Sequence, residues 1–153
     1  MLRWADPDQD AAALSQVFFD AVRDGPSPYT QPQRMAWMPQ APAPEVFADR
    51  LRAQHVVLAE AKGTVVGFMT LAEDGYLDLA YVLPSHRGSG LFGMLYRKLE
   101  AAARELGIAR LHTHASLMAQ PAFRKVGFLT IQNETVERAG EHLQRAEMEK
   151  HLT

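Results

Sequence analysis

The chain contains no cysteine, which excludes disulfides, thiolate-ligated zinc and a cysteine nucleophile. It has no surplus of either charge: 16 Lys and Arg stand against 18 Asp and Glu, a net charge of −2. A polyanion is therefore not attracted by the chain as a whole, and nucleic acid is not expected as its main partner. No apolar run approaches the roughly 18 residues that mark a membrane span. The opening MLRWADPDQD turns acidic where a secretion signal would turn apolar. A cytoplasmic protein without membrane association is the expectation. What is present is ordinary globular composition: 153 residues, 47% apolar and 22% charged. That is enough for one domain, residues 1–153, with a single sizeable core.

Apolar spacing orders the elements. Leu2–Ala5 suits a short strand, and Asp8 or Asp10 caps a helix carrying Leu14, Val17, Phe18, Ala21 and Val22, stopped near Gly25-Pro26. Residues 24–44 are broken by Pro26, Pro28, Pro32, Pro39, Pro42 and Pro44 and read as a long loop. The side chains of Tyr29, Met35, Trp37 and Met38 suit either a binding loop or a hydrophobic lid on the core. Pro44 opens a second helix with Phe47 and Leu51 on one face. Three strands follow, His55–Glu60, Thr64–Leu71 and Tyr76–Leu83, divided by Lys62-Gly63 and Asp74-Gly75 into an antiparallel meander. From Gly88 to Leu106 the period becomes helical through Leu91, Leu95, Leu99, Ala102 and Leu106. A strand at Arg110–Ala115, a short helix at Ala119–Val126 and a hairpin of Phe128–Glu137 with Glu141–Glu149 complete the chain. The fold class is α/β: a mixed, mostly antiparallel twisted sheet with helices on both faces.

The strongest local signal is Val82-Leu83-Pro84-Ser85-His86-Arg87-Gly88-Ser89-Gly90-Leu91. A strand ends at proline, and a basic, glycine-bearing turn opens a long amphipathic helix. Absent Cβ atoms let a ligand approach the main chain, first-turn N–H groups point outward, and the helix dipole and Arg87 add positive potential. This predicts a phosphate or pyrophosphate site. Gly88 to Gly93 also spells GxGxxG, but the dinucleotide fingerprint needs a parallel βαβ unit with an acid about 20 residues on. Here Glu100 and Glu105 lie inside the helix and the next acid is Glu134. No Gly-Lys-Ser/Thr follows either, so it is not a Walker loop.

The chain resembles the GNAT superfamily of acyl-CoA-dependent N-acyltransferases. Val82, Pro84, Arg87, Gly88, Gly90 and Leu91 fit that family's V-x-P-x-x-R-G-x-G-I/V/L pattern. In ASLMAQPAFRKVGF, Ser116, Ala119, Phe123, Gly127 and Phe128 fall on its second pattern, N-x-x-A-x-x-x-Y-x-x-x-G-F. The element order matches along nearly the whole chain. SPYTQPQRMAWMPQ resembles the Tyr/Trp-bearing segment of a small bacterial branch.

The resemblance implies an N-acetyltransferase that passes acetyl from acetyl-CoA to a primary amine of a small molecule or peptide. It implies that Ala80, Tyr81 and Val82 bind the pantetheine arm. Arg87, Gly88, Ser89, Gly90, Leu91, Phe92 and Gly93 would cradle the pyrophosphate, and Ser116 and Phe123 would border the pantetheine. Tyr29 and Trp37 would wall the acceptor, and a homodimer would be in keeping with the family. Three departures stand out: Phe92 lies where a second glycine is common, Ser116 replaces Asn, and Phe123 replaces the Tyr that serves many members as general acid.

Direct transfer needs a neutral amine, so a base or a water relay must take a proton from an alkylammonium. Asp78 alternates with Leu77 and Leu79 and is the candidate carboxylate, beside the alternative of an exposed strand residue. Tyr81, Ser116 and water are the candidates for assisting the thiolate, although packing alone also accounts for a strand tyrosine. His112 and His114 share one side of a strand and His55 begins another, but no spacing marks a ligand set and no metal site is assigned. Arg97, Lys98, Arg104 and Glu105 read as a solvated helix face. Two other functions fit the same motifs: an acyl-CoA-binding sensor with little transferase activity, and a homodimeric interaction domain using residues 24–44 and the last strands.

Overall fold

Alternating apolar residues in the strands serve two cores at once. In the computed structural model, which describes residues 1–152, β1 (Leu2–Trp4), β2 (Gln54–Ala61), β3 (Thr64–Ala72) and β5 (Ala80–Val82) form one antiparallel sheet in the order β1-β2-β3-β5. Val56, Leu58 and Phe68 face α1 (Ala11–Arg23) and α3 (Pro44–Arg52), where they meet Leu14, Phe18, Phe47 and Leu51. Val57, Ala59 and Met69 face the opposite way, onto Leu95 and Leu99 of α4 (Leu91–Glu105). This is what the strand period of two dictates when both faces are covered.

A second sheet runs β4 (Tyr76–Leu77), β6 (Arg110–Ser116), β8 (Glu141–His151) and β7 (Leu129–Arg138). Its β4–β6 pair is parallel and the rest antiparallel. Leu111, Ala115, Ala146 and Met148 point to α4 and to α5 (Gln120–Lys125). The opposite face of β6 and β8 is polar. Ala139 and Gly140, both at positive φ (48° and 81°), make the two-residue turn of the β7–β8 hairpin.

Two expectations are corrected. The run Tyr76–Leu83 is not one strand: β4 joins the second sheet, β5 joins the first, and the chain divides at Asp78-Leu79. Buried threonine hydroxyls make this division tolerable. Thr113 Oγ1 donates to Leu77 O at 2.8 Å, and Leu79 N donates to Thr70 Oγ1 at 3.0 Å. Main-chain groups that would otherwise be stranded in the core are thereby paired. The segment 24–44 is also not a continuous loop, because it contains α2 (Gln31–Trp37). Thr30 and Gln33 form its reciprocal capping box, and Pro32 occupies its first turn.

Candidate active site

The parting of the two sheets leaves β5 with one unpaired edge. Leu79 O and Leu83 N bond to β3, so by antiparallel alternation Ala80 and Val82 turn their main-chain groups away from it, into the gap. A cavity of about 630 Å³ occupies this region. Ala80–Val82, the end of β6, α5, the amino end of α4 and the α1–α2 segment line it. Arg34, Arg87, Arg97 and Lys125 contribute to that lining, whereas no aspartate or glutamate does.

At one end the turn before α4 is built from Gly88 and Gly90, at φ +76° and +85°, in the left-handed region that glycine enters without strain. Ser89 Oγ closes the turn by donating to His86 O at 2.5 Å. From Gly88 to Gly93 no main-chain N–H has an acceptor among the described residues; the helical ladder begins with Met94 N to Gly90 O at 3.2 Å. A Cβ placed on Gly88 or Gly90 would meet nothing within 4 Å, so the space before these amides is open. Unpaired donors at the positive end of a 15-residue helix offer the hydrogen bonds and potential that suit an anion.

Arg87 stands differently from its sequence reading. Its guanidinium donates to Ala21 O at 2.7 Å, Val82 O at 3.2 Å and Pro26 O at 3.4 Å. Arg34 beside it donates to Val22 O at 2.7 Å and Asp24 O at 2.5 Å. Two arginines thus meet the carbonyls at the carboxyl end of α1: Arg87 fastens the glycine turn to that helix and Arg34 fastens α2 to it. Burial, then the neighbouring Arg34, pull the Arg87 pKa below the usual arginine value. The cations left for an anion are Arg97 on α4 and Lys125 on α5, both exposed on the rim and without an ion-pair partner among the described residues. Arg97, read from sequence as solvated helix surface, is exposed and also lines the cavity.

Tyr81 lines the cavity, its ring 4.7 Å from Phe18 and 6.2 Å from Phe68. Its hydroxyl has no hydrogen-bond partner among the described residues, and burial pushes the phenol well above its ordinary pKa. Ser116 also lines the cavity, and its Oγ accepts from Ala119 N at 3.2 Å. Phe92 lies on the wall, while Phe123 lies behind it, 2% exposed and edge-on to Phe92 and Phe128 at 5.0 Å each. Phe123 is thus a core residue and not a border of the cavity.

Asp78 does not line the cavity. Its carboxylate takes both Nε and Nη2 of Arg50 at 2.8 Å and Gln54 Nε2 at 3.0 Å. Burial alone would raise its pKa; the Arg50 and Gln54 hydrogen bonds outweigh that and hold it below the usual range. A carboxylate so occupied is a poor base, and its position explains its presence in the strand: it pins α3 and β2 to the point where the chain divides.

Tyr29 and Trp37 do line the far end, their rings 5.8 Å apart. The Tyr29 hydroxyl accepts from Leu117 N at 2.9 Å and donates to Gln144 O at 2.5 Å. Gln33 Nε2 adds a bond to His142 O at 2.8 Å. The segment is therefore stapled across β6 and β8, presenting ring faces to the cavity.

Residues 26–152 match the model of the acetyltransferase (GNAT) domain, and the chain belongs to that family. A crystal structure of a GCN5-related N-acetyltransferase, described also as a class-II aminotransferase, from Rhodopseudomonas palustris is similar over 99% of this chain and 95% of its own. Its TM-score is 0.89 at 32% identity. The uncharacterized N-acetyltransferase YafP of Escherichia coli (strain K12) is 28% identical over 131 residues, covering 86% of this chain and 83% of that protein. The yncA acetyltransferase of Salmonella typhimurium, solved with its cofactor acetyl-CoA, shares the fold at TM-score 0.75 and 19% identity over 100% of this chain and 94% of its own.

Proposed function

We propose that the protein transfers the acetyl group of acetyl-CoA directly to a primary amine of a small molecule or peptide. One observation carries the reading: the amides from Gly88 to Gly93 have no acceptor among the described residues, the space at Gly88 and Gly90 is open, and the adjoining cavity has no acidic lining. A pyrophosphate is the ligand that such a nest of donors fits. Arg97 and Lys125 would meet the remaining phosphate of CoA. Ala80 and Val82 would hydrogen-bond the pantetheine arm along the free edge of β5, with Ser116 across the gap. Bound acetyl-CoA supplies a thioester at the far end of that arm. Tyr81, protonated throughout the neutral range and with its O–H unspent, would donate toward the departing sulfur. Tyr29 and Trp37 form the acceptor wall, and Asp78 is given no part in the chemistry.

The test is a thermal-shift titration with acetyl-CoA, CoA, NADH and ATP, followed by free-thiol release with ethylamine, spermidine, lysine and a dipeptide. A ligand that binds only the folded state raises its melting temperature. Stabilisation by acetyl-CoA and CoA alone, with thiol release on at least one amine, is the expected outcome. Stabilisation without thiol release would favour the acyl-CoA sensor, and no stabilisation by saturating CoA would remove the site assignment.

A further inference from the structure

The transferase reading leaves the base unnamed, and the polar face of the second sheet holds an imidazole that is oriented by a carboxylate and keeps one nitrogen free. His114 and Ser116 lie two residues apart on the same face of β6; Ser116 lines the cavity and His114 lies one step beyond that lining. His114 Nδ1 is 2.7 Å from Glu134 Oε1, which reaches it from β7 across β8. In the neutral ring this bond places the proton on Nδ1 and leaves the lone pair on Nε2. Nε2 has no partner among the described residues. The two ring nitrogens point in nearly opposite directions, so Nε2 points away from β7. Tyr76 of β4 flanks the imidazole on that side at 5.8 Å, beside the point where β4 and β5 divide. The side chains of His114 and Glu134 are 29% and 30% exposed, open enough to exchange a proton with water.

We propose that His114 is the catalytic base for the acceptor amine and that Glu134 is its positioning residue; this rests on the transferase reading above. Nε2 takes one proton from the acceptor ammonium, and the imidazolium so formed is stabilised by the Glu134 carboxylate. The freed lone pair forms the C–N bond to the thioester carbonyl carbon, and the C–S bond breaks. The second amine proton leaves with the sulfur as thiol, and His114 returns its proton to water. Acetyl-CoA and an ammonium thus become an amide, CoA and one proton, with no other reactant. Tyr76 from β4, His112 from the same strand and Arg145 and Glu147 from β8 also face the ring. Of these charged or titratable neighbours, only Glu134 is hydrogen-bonded to it.

The experiment measures kcat/KM against pH for the best amine of the four-compound panel in the parent protein, His114→Gln and Glu134→Gln, with acetyl-CoA binding followed separately by thermal shift. His114→Gln is expected to lower the plateau of kcat/KM by about 10²-fold or more while leaving the acetyl-CoA shift intact. Glu134→Gln keeps an oxygen to accept from Nδ1 but loses the carboxylate, so kcat should fall by less than in His114→Gln with KM and the acetyl-CoA shift little changed. A merely structural pair would not confine its effect to kcat. His114→Gln within about threefold of the parent with an unmoved limb, where threefold is well short of the usual acid–base contribution, overturns this assignment alone. Intact acetyl-CoA binding with no amine used by the parent protein overturns the transferase reading and this one with it.

Discussion

The two ends of the cavity are both built from irregular, proline- or glycine-rich chain, yet their hydrogen bonds are disposed in opposite ways. At the α4 end the donors from Gly88 to Gly93 are all unspent. At the α2 end the Tyr29 hydroxyl bonds two main-chain groups, Thr30 and Gln33 cap each other, and Arg34 serves two carbonyls. Irregular backbone alone therefore does not mark where a ligand is read. Unfilled hydrogen-bonding capacity does, because amides with no protein acceptor at the positive end of a helix are free to donate to a ligand. The α2 end contributes shape and apolar surface instead.

Gly88→Val is the most severe way to break this contrast. At φ +76° a β-branched side chain is strained by roughly 1–2 kcal/mol. Because a Cβ there meets nothing within 4 Å in the protein itself, the greater loss should fall on the ligand. CoA affinity measured by calorimetry should drop by about 100-fold, or near 3 kcal/mol, with the circular dichroism spectrum unchanged. Normal affinity would mean that the open amides are not the contact.

Tyr29→Phe tests the opposite end. It removes the part-buried bond from Leu117 N and the exposed one to Gln144 O, so urea unfolding should show a loss of about 0.5–1.5 kcal/mol. CoA affinity should change little, since the ring remains. A variant of parental stability that had lost CoA binding would reverse the assignment of the two ends. A smaller effect is expected from Arg97→Ala and Lys125→Ala. Both cations are exposed, so each change should weaken CoA by a few-fold at low salt, or about 1 kcal/mol or less, and by less at high salt. Dephospho-CoA should be nearly indifferent to either change; an equal loss for both ligands would place these side chains on the pyrophosphate.

The unequal legibility of the sequence has the same physical origin. Element order and the glycine turn are local properties, carried by apolar period and by Gly88 and Gly90, and they read through. The division of Tyr76–Leu83 does not, because it depends on Thr70 and Thr113, hydroxyls delivered by other strands. Arg87 was legible as a conspicuous cation beside a phosphate turn but not in its destination, which is the end of α1. Phe123 occupies a family position yet points into an aromatic cluster. His114 and Glu134 are 20 residues apart, and meet only because β6, β8 and β7 are adjacent in that order. The capping box of α2, Thr30-Gln-Pro-Gln33, was readable, but the prolines around it outweighed it.

Asp78 lies off both ends and separates a structural carboxylate from a chemical one with the smallest expected effect. Its folded pKa is held below the usual value, with the Arg50 and Gln54 hydrogen bonds overcoming burial. The unfolded chain, with a carboxyl pKa near 3.9, therefore binds more protons in the acid range, and stability rises with pH there. The contribution of Asp78 is complete above the unfolded pKa and is lost as pH falls through the folded one. Asp78→Asn removes it, so the gap in melting temperature between parent and variant should be present at pH 7 and shrink progressively below about pH 4. A gap equally wide at pH 3 would mean that packing, not the ion pair with Arg50, stabilises the division of the strand. Thiol release should persist in Asp78→Asn at neutral pH, because its carboxylate faces Arg50 and Gln54 and not the cavity. Loss of turnover in a variant of parental stability would restore Asp78 as the base and displace His114.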